Sequence, residues 1–241
     1  MVGASENDRL VWIDCEMTGL DLAVDELVEI AIVVTDFELN VLDPGFQVVI
    51  KPDASALANM GDFVTEMHRS SGLLDEIPHG VSLADAEFQA LEYIQRFAPI
   101  EGKAPLAGNT IGTDRMFLAK YMPRVDRWLH YRNVDVSSIK ELSRRWYPRA
   151  YFNAPTKNGG HRGLSDIFEW IGEMADNRKD ALGLNRGPTR TKLRESAIRL
   201  WVRNPAPGPV GSNCQGRVFN VIGSALGPSK RPGHGGFSFG T

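Results

Sequence analysis

The chain has 241 residues, of which 42% are hydrophobic and 24% charged, and its formal net charge is −3. These values are typical of a globular protein and exclude collagen-like, coiled-coil and disulfide-scaffold proteins. The longest apolar run is far shorter than a bilayer span and the polar start lacks a signal-peptide pattern, so we expect a cytoplasmic protein without membrane contact. Cys15 and Cys214 show neither metal-site nor disulfide spacing, and we expect both to be reduced.

Charge is distributed unevenly along the chain. Residues 1–178 contain 17 Lys and Arg against 28 Asp and Glu, whereas residues 179–241 contain 10 against 2. The second segment also has 11 Gly and 6 Pro, a composition typical of disordered sequence. We therefore predict an acidic folded domain over residues 1–178 and a basic, disordered C-terminal tail over residues 179–241.

The first predicted elements are strands. Short apolar runs rich in β-branched residues cover residues 10–14, 28–36 and 46–50. Glycine and aspartate residues between the first two runs supply a turn. Three successive strands joined in this way predict a meander.

A helix is predicted next, crossing back over the sheet. Ser82, followed by Asp85 three residues later, marks its start. Phe88, Leu91 and Ile94 recur at helical spacing over the segment that follows.

The remaining elements alternate between strand and helix. Strands are predicted over residues 104–108 and 133–136, and helices over 114–122, 138–147 and 164 to about 178. In the second of these helices, Ile139, Leu142 and Trp146 are expected to face the core. Alternating strands and helices predict a layered α/β domain.

Acidic residues cluster at the ends and starts of these elements. Asp14 and Glu16 are one residue apart at a strand end, so their carboxylates project from the same face, where hard oxygen ligands favour Mg²⁺ or Mn²⁺. Asp114 opens a helix directly after a strand, and Asp166 lies near another helix start. Each alone is compatible with a solvated acid. Together with His161 in its glycine-bounded turn they predict a two-metal site, in which the histidine can take a proton from the attacking water.

Four segments carry a resemblance to a known family: WIDCEMTGLD, GNTIGTDRMFL, LHYRNVDVSSIKELSRRW and HRGLSDI. They closely resemble the oligoribonuclease family, in the DEDDh group of 3'-to-5' exonucleases, over about residues 8–178. The resemblance implies a ribonuclease H-like fold, with a mixed five-stranded sheet flanked by helices, and a homodimer. It also implies two divalent ions, Mg²⁺ or Mn²⁺, with His161 as general base for in-line attack on the 3'-terminal phosphodiester. The implied metal ligands are Asp14, Glu16, Asp114 and Asp166.

The resemblance also assigns residues to a very short RNA substrate. Leu20 would wedge between the bases, while Phe63 and His68 would line the pocket of the 3' nucleotide. Tryptophan is common in the family at the position of Phe63, so stacking there would use less surface.

Further positions imply a limit on substrate length and a role for the partner subunit. Thr110, Arg132 and Ser137 match positions that contact the 5' phosphate, which would close the groove at two nucleotides. Tyr131 matches a tyrosine that reaches into the partner's site, and an interface aromatic is the alternative. Gly163 stands where alanine is common, and we expect it to loosen the segment between His161 and Asp166.

The expected activity is 3'-to-5' hydrolysis of short oligoribonucleotides, chiefly dinucleotides, to nucleoside 5'-monophosphates. Long nucleic acid should bind poorly, because proteins that track it display a basic stripe and this domain is acidic. One alternative is another DEDDh exonuclease, for DNA proofreading or RNA trimming, against which the HYRNVDVSS segment argues. Another is a non-catalytic nucleotide or RNA binder, in which a last helix weakened by Trp170 and Gly172 displaces Asp166. The tail is either an RNA-attracting arm or an altered reading frame, and its composition slightly favours the latter.

Overall fold

A computed structural model describes residues 8–148 and 162–180. Its sheet has five strands in the spatial order β3-β2-β1-β4-β5. The strands are β1 (Arg9–Met17), β2 (Leu27–Asp36), β3 (Phe46–Val49), β4 (Pro105–Gly108) and β5 (His130–Asp135). Neighbours among β1, β2 and β3 pair antiparallel, whereas β4 runs parallel to β1 and β5 runs parallel to β4. The mixed five-stranded sheet and the initial meander are therefore confirmed.

Helices flank the sheet. They are α1 (Ala54–Asn59), α2 (Asp62–Ser70), α3 (Leu73–Glu76), α4 (Leu83–Phe97), α5 (Gly112–Tyr121), α6 (Pro123–Trp128), α7 (Val136–Trp146) and α8 (Gly163–Asp180), with a 3₁₀ turn at Ile77–His79. The predicted start of α4 is confirmed, because the Ser82 side chain accepts a hydrogen bond from the Asp85 N–H. In the described part of the chain, no helix combines the length and apolarity needed to span a membrane.

Alternation along β1 divides the core into two faces. Val11 and Ile13 pack with α4, α5 and α6 on one face, whereas Leu10 and Trp12 pack with α8 on the other. Since successive side chains of a strand point to opposite faces, the even-numbered positions of β1 all face α8. This alternation decides where the acidic residues of the strand point.

The boundaries of two strands differ from the prediction in ways that matter for the site. β1 runs to Met17 rather than ending at residue 14, so both of its acids lie within a paired strand. β5 begins at His130 rather than at residue 133, so the HYR segment is part of the edge strand. The short helices α1, α2, α3 and α6 were not predicted, because segments of one or two turns show too few apolar repeats to mark a face.

The helical spacing in α4 is confirmed: Leu91 and Ile94 are buried, whereas Phe88 is exposed on the side of the helix opposite Ala86 and Ala90. Leu142 and Trp146 are also exposed, since α7 instead buries Val136 and Ser143. The apolar spacing correctly indicates a helix in both cases, but the face of α7 that was expected to meet the core was wrong.

Candidate active site

Three acidic side chains meet where α8 begins. Asp14 and Glu16 share the face of β1 that looks toward α8, and Asp166 lies in the first turn of that helix. Each of the three offers a carboxylate oxygen, and these oxygens all lie within 4.8 Å of one another. This is a spacing at which one cation can be held by all three residues.

Asp114 lies against the same strand without belonging to that group of three. It sits in the first turn of α5, which follows the carboxyl end of β4, the edge at which α/β sheets place their sites. Its side chain is buried, and its Oδ1 accepts a hydrogen bond of 3.0 Å from the backbone N–H of Cys15. The bond attaches this carboxylate to the strand between the two acids of β1.

Burial and mutual repulsion make these acids hard to ionise. Burial, followed by the charges of Glu16 and Asp114, raises the pKa of Asp14 well above its ordinary value. Burial, followed by the charge of Glu29, raises the pKa of Glu16 from 4.5 to about 8. Burial also raises the pKa of Asp114 to about 6. A divalent cation would relieve this repulsion, and an all-oxygen set of ligands suits a hard ion.

His161 and the turn that contains it lie outside the described residues. The next residue, Arg162, is the first described residue before α8. Its guanidinium binds both carboxylate oxygens of Glu76, at 2.8 and 3.1 Å, and lies 3.4 Å from a carboxylate oxygen of Glu29.

His68 is buried rather than open to a ligand. Its Nε2 lies 2.8 Å from the carbonyl oxygen of Met17, and since a carbonyl only accepts, this nitrogen carries the proton. Its Nδ1 lies 4.0 Å from a carboxylate oxygen of Glu16, and burial lowers the pKa of the ring. A neutral imidazole is tolerated inside because one polar atom is paired. In this structure the ring supports the end of β1, and its contact with a nucleotide stays a prediction.

Leu20 and Phe63, the two apolar side chains expected to contact the bases, are both largely exposed. Leu20 is 74% exposed in the loop between β1 and β2, and Phe63 is 81% exposed on α2. The loop around Leu20 is held by Asp25, whose carboxylate accepts hydrogen bonds of 2.8 Å from Thr18 Oγ1 and from the Asp21 N–H. An apolar side chain is thus presented to solvent on an ordered loop.

Two of the three residues expected at a 5' phosphate share one anchor. The Asp135 carboxylate accepts from the Thr110 N–H at 2.9 Å and from Ser137 Oγ at 2.8 Å. Thr110 has a φ of 57°, in the left-handed region that a β-branched residue rarely adopts. This anchor therefore stabilises a strained backbone at the end of β4. Arg132 is exposed on β5 nearby in the chain.

Tyr131 points away from its own domain. It is 74% exposed on the edge strand β5, and its ring stacks on His130 with ring centres 4.4 Å apart. The Arg132 guanidinium carbon lies 5.3 Å from the centre of the Tyr131 ring. The side chain is therefore available to a neighbouring molecule.

Sequence reasoning missed Glu29, Arg162, Asp25 and Asp135. Glu29 did carry a signal, because it is a lone charge within the run VEIAIVV, where an acid needs a partner to be buried. The other three gave none, since an arginine beside a turn or an aspartate after a loop is ordinary on a surface.

Comparison with known proteins shows which family the chain belongs to. A family model described as an exonuclease matches residues 11–174. The oligoribonuclease of Leifsonia xyli subsp. xyli is 74% identical over 197 residues, which are 82% of this chain and 95% of that protein. The oligoribonuclease of Streptomyces griseus is 55% identical over 194 residues, which are 80% of this chain and 96% of that protein. Residues 1–178 number fewer than either matched span, so the similarity extends beyond residue 178.

Solved structures show the same fold at low identity. Exonuclease I of Methylocaldum szegediense has a TM-score of 0.55 at 17% identity, covering 81% of this chain and 45% of its own. Exonuclease I of E. coli in a complex with single-stranded DNA has a TM-score of 0.57 at 15% identity, covering 80% of this chain and 43% of its own. The chain thus spans less than half the length of these solved exonucleases and nearly the whole length of the curated oligoribonucleases.

Proposed function

The chain belongs to the oligoribonuclease family of exonucleases, and from that membership we propose that it is a metal-dependent 3'-to-5' exoribonuclease. Its substrates are short oligoribonucleotides, chiefly dinucleotides, which it hydrolyses to nucleoside 5'-monophosphates. The observation that carries the proposal is the meeting of Asp14, Glu16 and Asp166 within 4.8 Å, with Asp114 attached to the same strand. Four buried or half-buried acids at one place are costly unless a cation is bound there.

We propose that these four carboxylates hold two divalent ions, Mg²⁺ or Mn²⁺. Such a pair stabilises the charge that develops on the attacking and leaving oxygens of a phosphodiester. The protein contributes by fixing these ligands on a central strand and at the starts of α5 and α8, so that the carboxylates need little rearrangement to bind the ions. His161 is proposed to accept the proton of the attacking water.

The restriction to short RNA is proposed to come from two contacts at opposite ends of the substrate. Exposed Leu20 and Phe63 favour contact with bases, and stacking on an aromatic ring contributes roughly 1 to 3 kcal/mol per base. Thr110, Ser137 and Arg132 are proposed to take the 5' phosphate, supported by the shared Asp135 anchor of the first two. His68 is proposed to act at the 3' nucleotide through its contact with the end of β1.

A homodimer is part of the proposal. Tyr131 on the edge strand and Trp146 on α7, which is 64% exposed, leave aromatic surface open on the single chain. Burying such surface against a second copy is favourable, and Tyr131 would then reach the partner's substrate. We further propose that the protein is cytoplasmic. RNA decay in the cytoplasm would supply short oligoribonucleotides of this kind.

The sequence is also compatible with two other functions. A non-catalytic binder required α8 to displace Asp166, and the position of this residue beside Asp14 and Glu16 speaks against it. A DNA-proofreading or RNA-trimming exonuclease would use the same acids; the first differs from the proposed function in the sugar of its substrate, and both differ in substrate length.

The test follows a 5'-labelled diribonucleotide and a 5'-labelled heptaribonucleotide with the full chain, in Mn²⁺, Mg²⁺ or chelator. We expect fast metal-dependent hydrolysis of the dinucleotide and slower hydrolysis of the heptamer. Asp14→Asn should abolish both reactions, and Glu92→Gln, on the exposed surface of α4, should change neither. Preference for the heptamer would favour a trimming exonuclease, and binding of the dinucleotide without cleavage would favour the binder.

A further inference from the structure

Arg162 ties the start of α8 to three other places in the fold: α3, β2 and the residue that follows α2. It forms a bidentate pair with Glu76 of α3, an ion pair of 3.4 Å with Glu29 of β2, and a hydrogen bond of 3.3 Å to the carbonyl oxygen of Ser71. A bidentate guanidinium pair fixes orientation as well as distance. The helix therefore starts from a side chain that is held in a defined position.

Glu29 is the buried end of this connection. Its side chain is only 1% exposed, and it lies directly across from Glu16 in the pairing of β1 with β2. It also accepts hydrogen bonds from Gln47 Nε2 at 2.9 Å and from the backbone N–H of Gly163 at 3.3 Å. Like charges on directly opposed strand residues repel. Its contacts with Arg162 and Gly163 compensate part of this cost and bring the first turn of α8 onto β2.

The connection is transmitted to Asp166 through one helical turn. The carbonyl oxygen of Arg162 accepts hydrogen bonds from the Asp166 N–H at 3.1 Å and from Ser165 Oγ at 2.8 Å. Gly163 allows a close approach, because a Cβ there would lie 2.5 Å from the Cβ of Ala31 on β2. A movement of Arg162 away from β2 would therefore carry Asp166 with it.

We propose that Arg162 and Glu29 form a clamp that fixes the first turn of α8 on the sheet and so holds Asp166 at ligand distance from Asp14 and Glu16. Both are positioning residues and neither is a metal ligand. The inference rests on the proposed function of the acidic cluster as a metal site. The clamp and a simple effect of charge predict opposite results. Removing the positive charge of Arg162, which lowers the pKa of nearby Glu16, should strengthen the binding of a divalent ion, whereas loosening the ligand Asp166 should weaken it.

The experiment compares Arg162→Met with Arg178→Met in the full chain. Arg178 also joins α8 to a glutamate, Glu38, but at the far end of the helix from Asp166. Methionine retains the apolar stem in both variants. Mn²⁺ affinity is measured by titration calorimetry, melting temperature by circular dichroism, and kcat and KM with a diribonucleotide.

We expect Arg162→Met to weaken Mn²⁺ binding about tenfold and to lower kcat, with KM within about twofold, because altering a residue that orients a ligand typically costs 10- to 100-fold. Arg178→Met should leave Mn²⁺ affinity unchanged. Equal or tighter Mn²⁺ binding by Arg162→Met, or equal weakening by both variants, would overturn the clamp.

Arg162→Lys covers the case in which Arg162→Met does not fold. It keeps the charge but loses the bidentate pair, and we expect intermediate Mn²⁺ affinity; wild-type affinity would contradict the clamp. A wild-type chain that binds Mn²⁺ but does not cleave the dinucleotide would refute the proposed function while the affinity comparison still tests the clamp. A wild-type chain that does not bind Mn²⁺ would refute the metal site and the clamp together.

Discussion

Glu16→Gln should make the metal-free protein more stable while removing its activity. With a pKa of about 8 in the folded protein and 4.5 as its ordinary value, Glu16 holds a proton in the fold that the unfolded chain releases. For this group, stability is greatest below pH 4.5 and is lost as the pH rises toward 8. At pH 7.5 the cost corresponds to about 4 kcal/mol, at 1.36 kcal/mol per pH unit between the two pKa values.

The gain on substitution is smaller than this full cost, because the neighbouring acids keep repelling each other. We expect Glu16→Gln to raise the free energy of unfolding by about 2 to 4 kcal/mol at pH 7.5 without metal. For a domain of this size that corresponds to a rise in melting temperature of about 4 to 16 °C. The rise should shrink as the pH falls to 5, where Glu16 of the wild type is protonated in the fold.

The assay is thermal unfolding followed by circular dichroism, at several pH values, with chelator and with saturating Mn²⁺. Mn²⁺ should raise the melting temperature of the wild type more than that of Glu16→Gln, since one ligand is lost. Glu92→Gln on the surface of α4 is the matched control and should behave as wild type. A metal-free Glu16→Gln that melts at or below the wild-type temperature, with an unchanged response to Mn²⁺, would refute the reasoning.

Three further substitutions probe the substrate loop, the close approach of α8 and the subunit interface. Asp25→Ala frees the loop that carries Leu20, so KM for a diribonucleotide should rise several-fold with kcat nearly unchanged; a fall in kcat alone would contradict this. Gly163→Ala should lower Mn²⁺ affinity because its Cβ meets Ala31, whereas a glycine that merely loosens the chain predicts higher activity on substitution. Tyr131→Ala should lower kcat and weaken the dimer measured by light scattering, and a fully active monomer would exclude a role for the partner.

Much of the site could be predicted because the chemistry of the ligands is local. Asp14 and Glu16 lie two residues apart on a strand, and period-two alternation alone puts both on one face. Asp114 and Asp166 were expected at helix starts, and both lie in first turns. What joins these places is tertiary, and only the structure shows that the oxygens of Asp14, Glu16 and Asp166 meet.

The burial of His68 and the inward face of α7 could not be predicted in the same way. From sequence, a histidine on a short amphipathic helix is expected to be exposed. The burial of His68 depends on its hydrogen bond to the carbonyl oxygen of Met17, a contact that only the tertiary structure shows. In α7 the apolar residues Leu142 and Trp146 point outward while Ser143 is buried. Sequence periodicity reports which residues share a face, but not whether that face meets the core or another molecule.

Trp170, one of the two residues that weaken the helical preference of α8, also packs this helix against the sheet. Trp170 and Gly172 lower the helical preference of α8, yet Trp170 is buried with Ile167 against Trp12 and Leu10 of β1. Burying large apolar side chains contributes roughly 1.5 to 3 kcal/mol each, more than these differences in helical preference. The same face of β1 that offers this apolar surface continues into Asp14 and Glu16. The packing that stabilises the helix is therefore also the packing that brings Asp166 to the other acids.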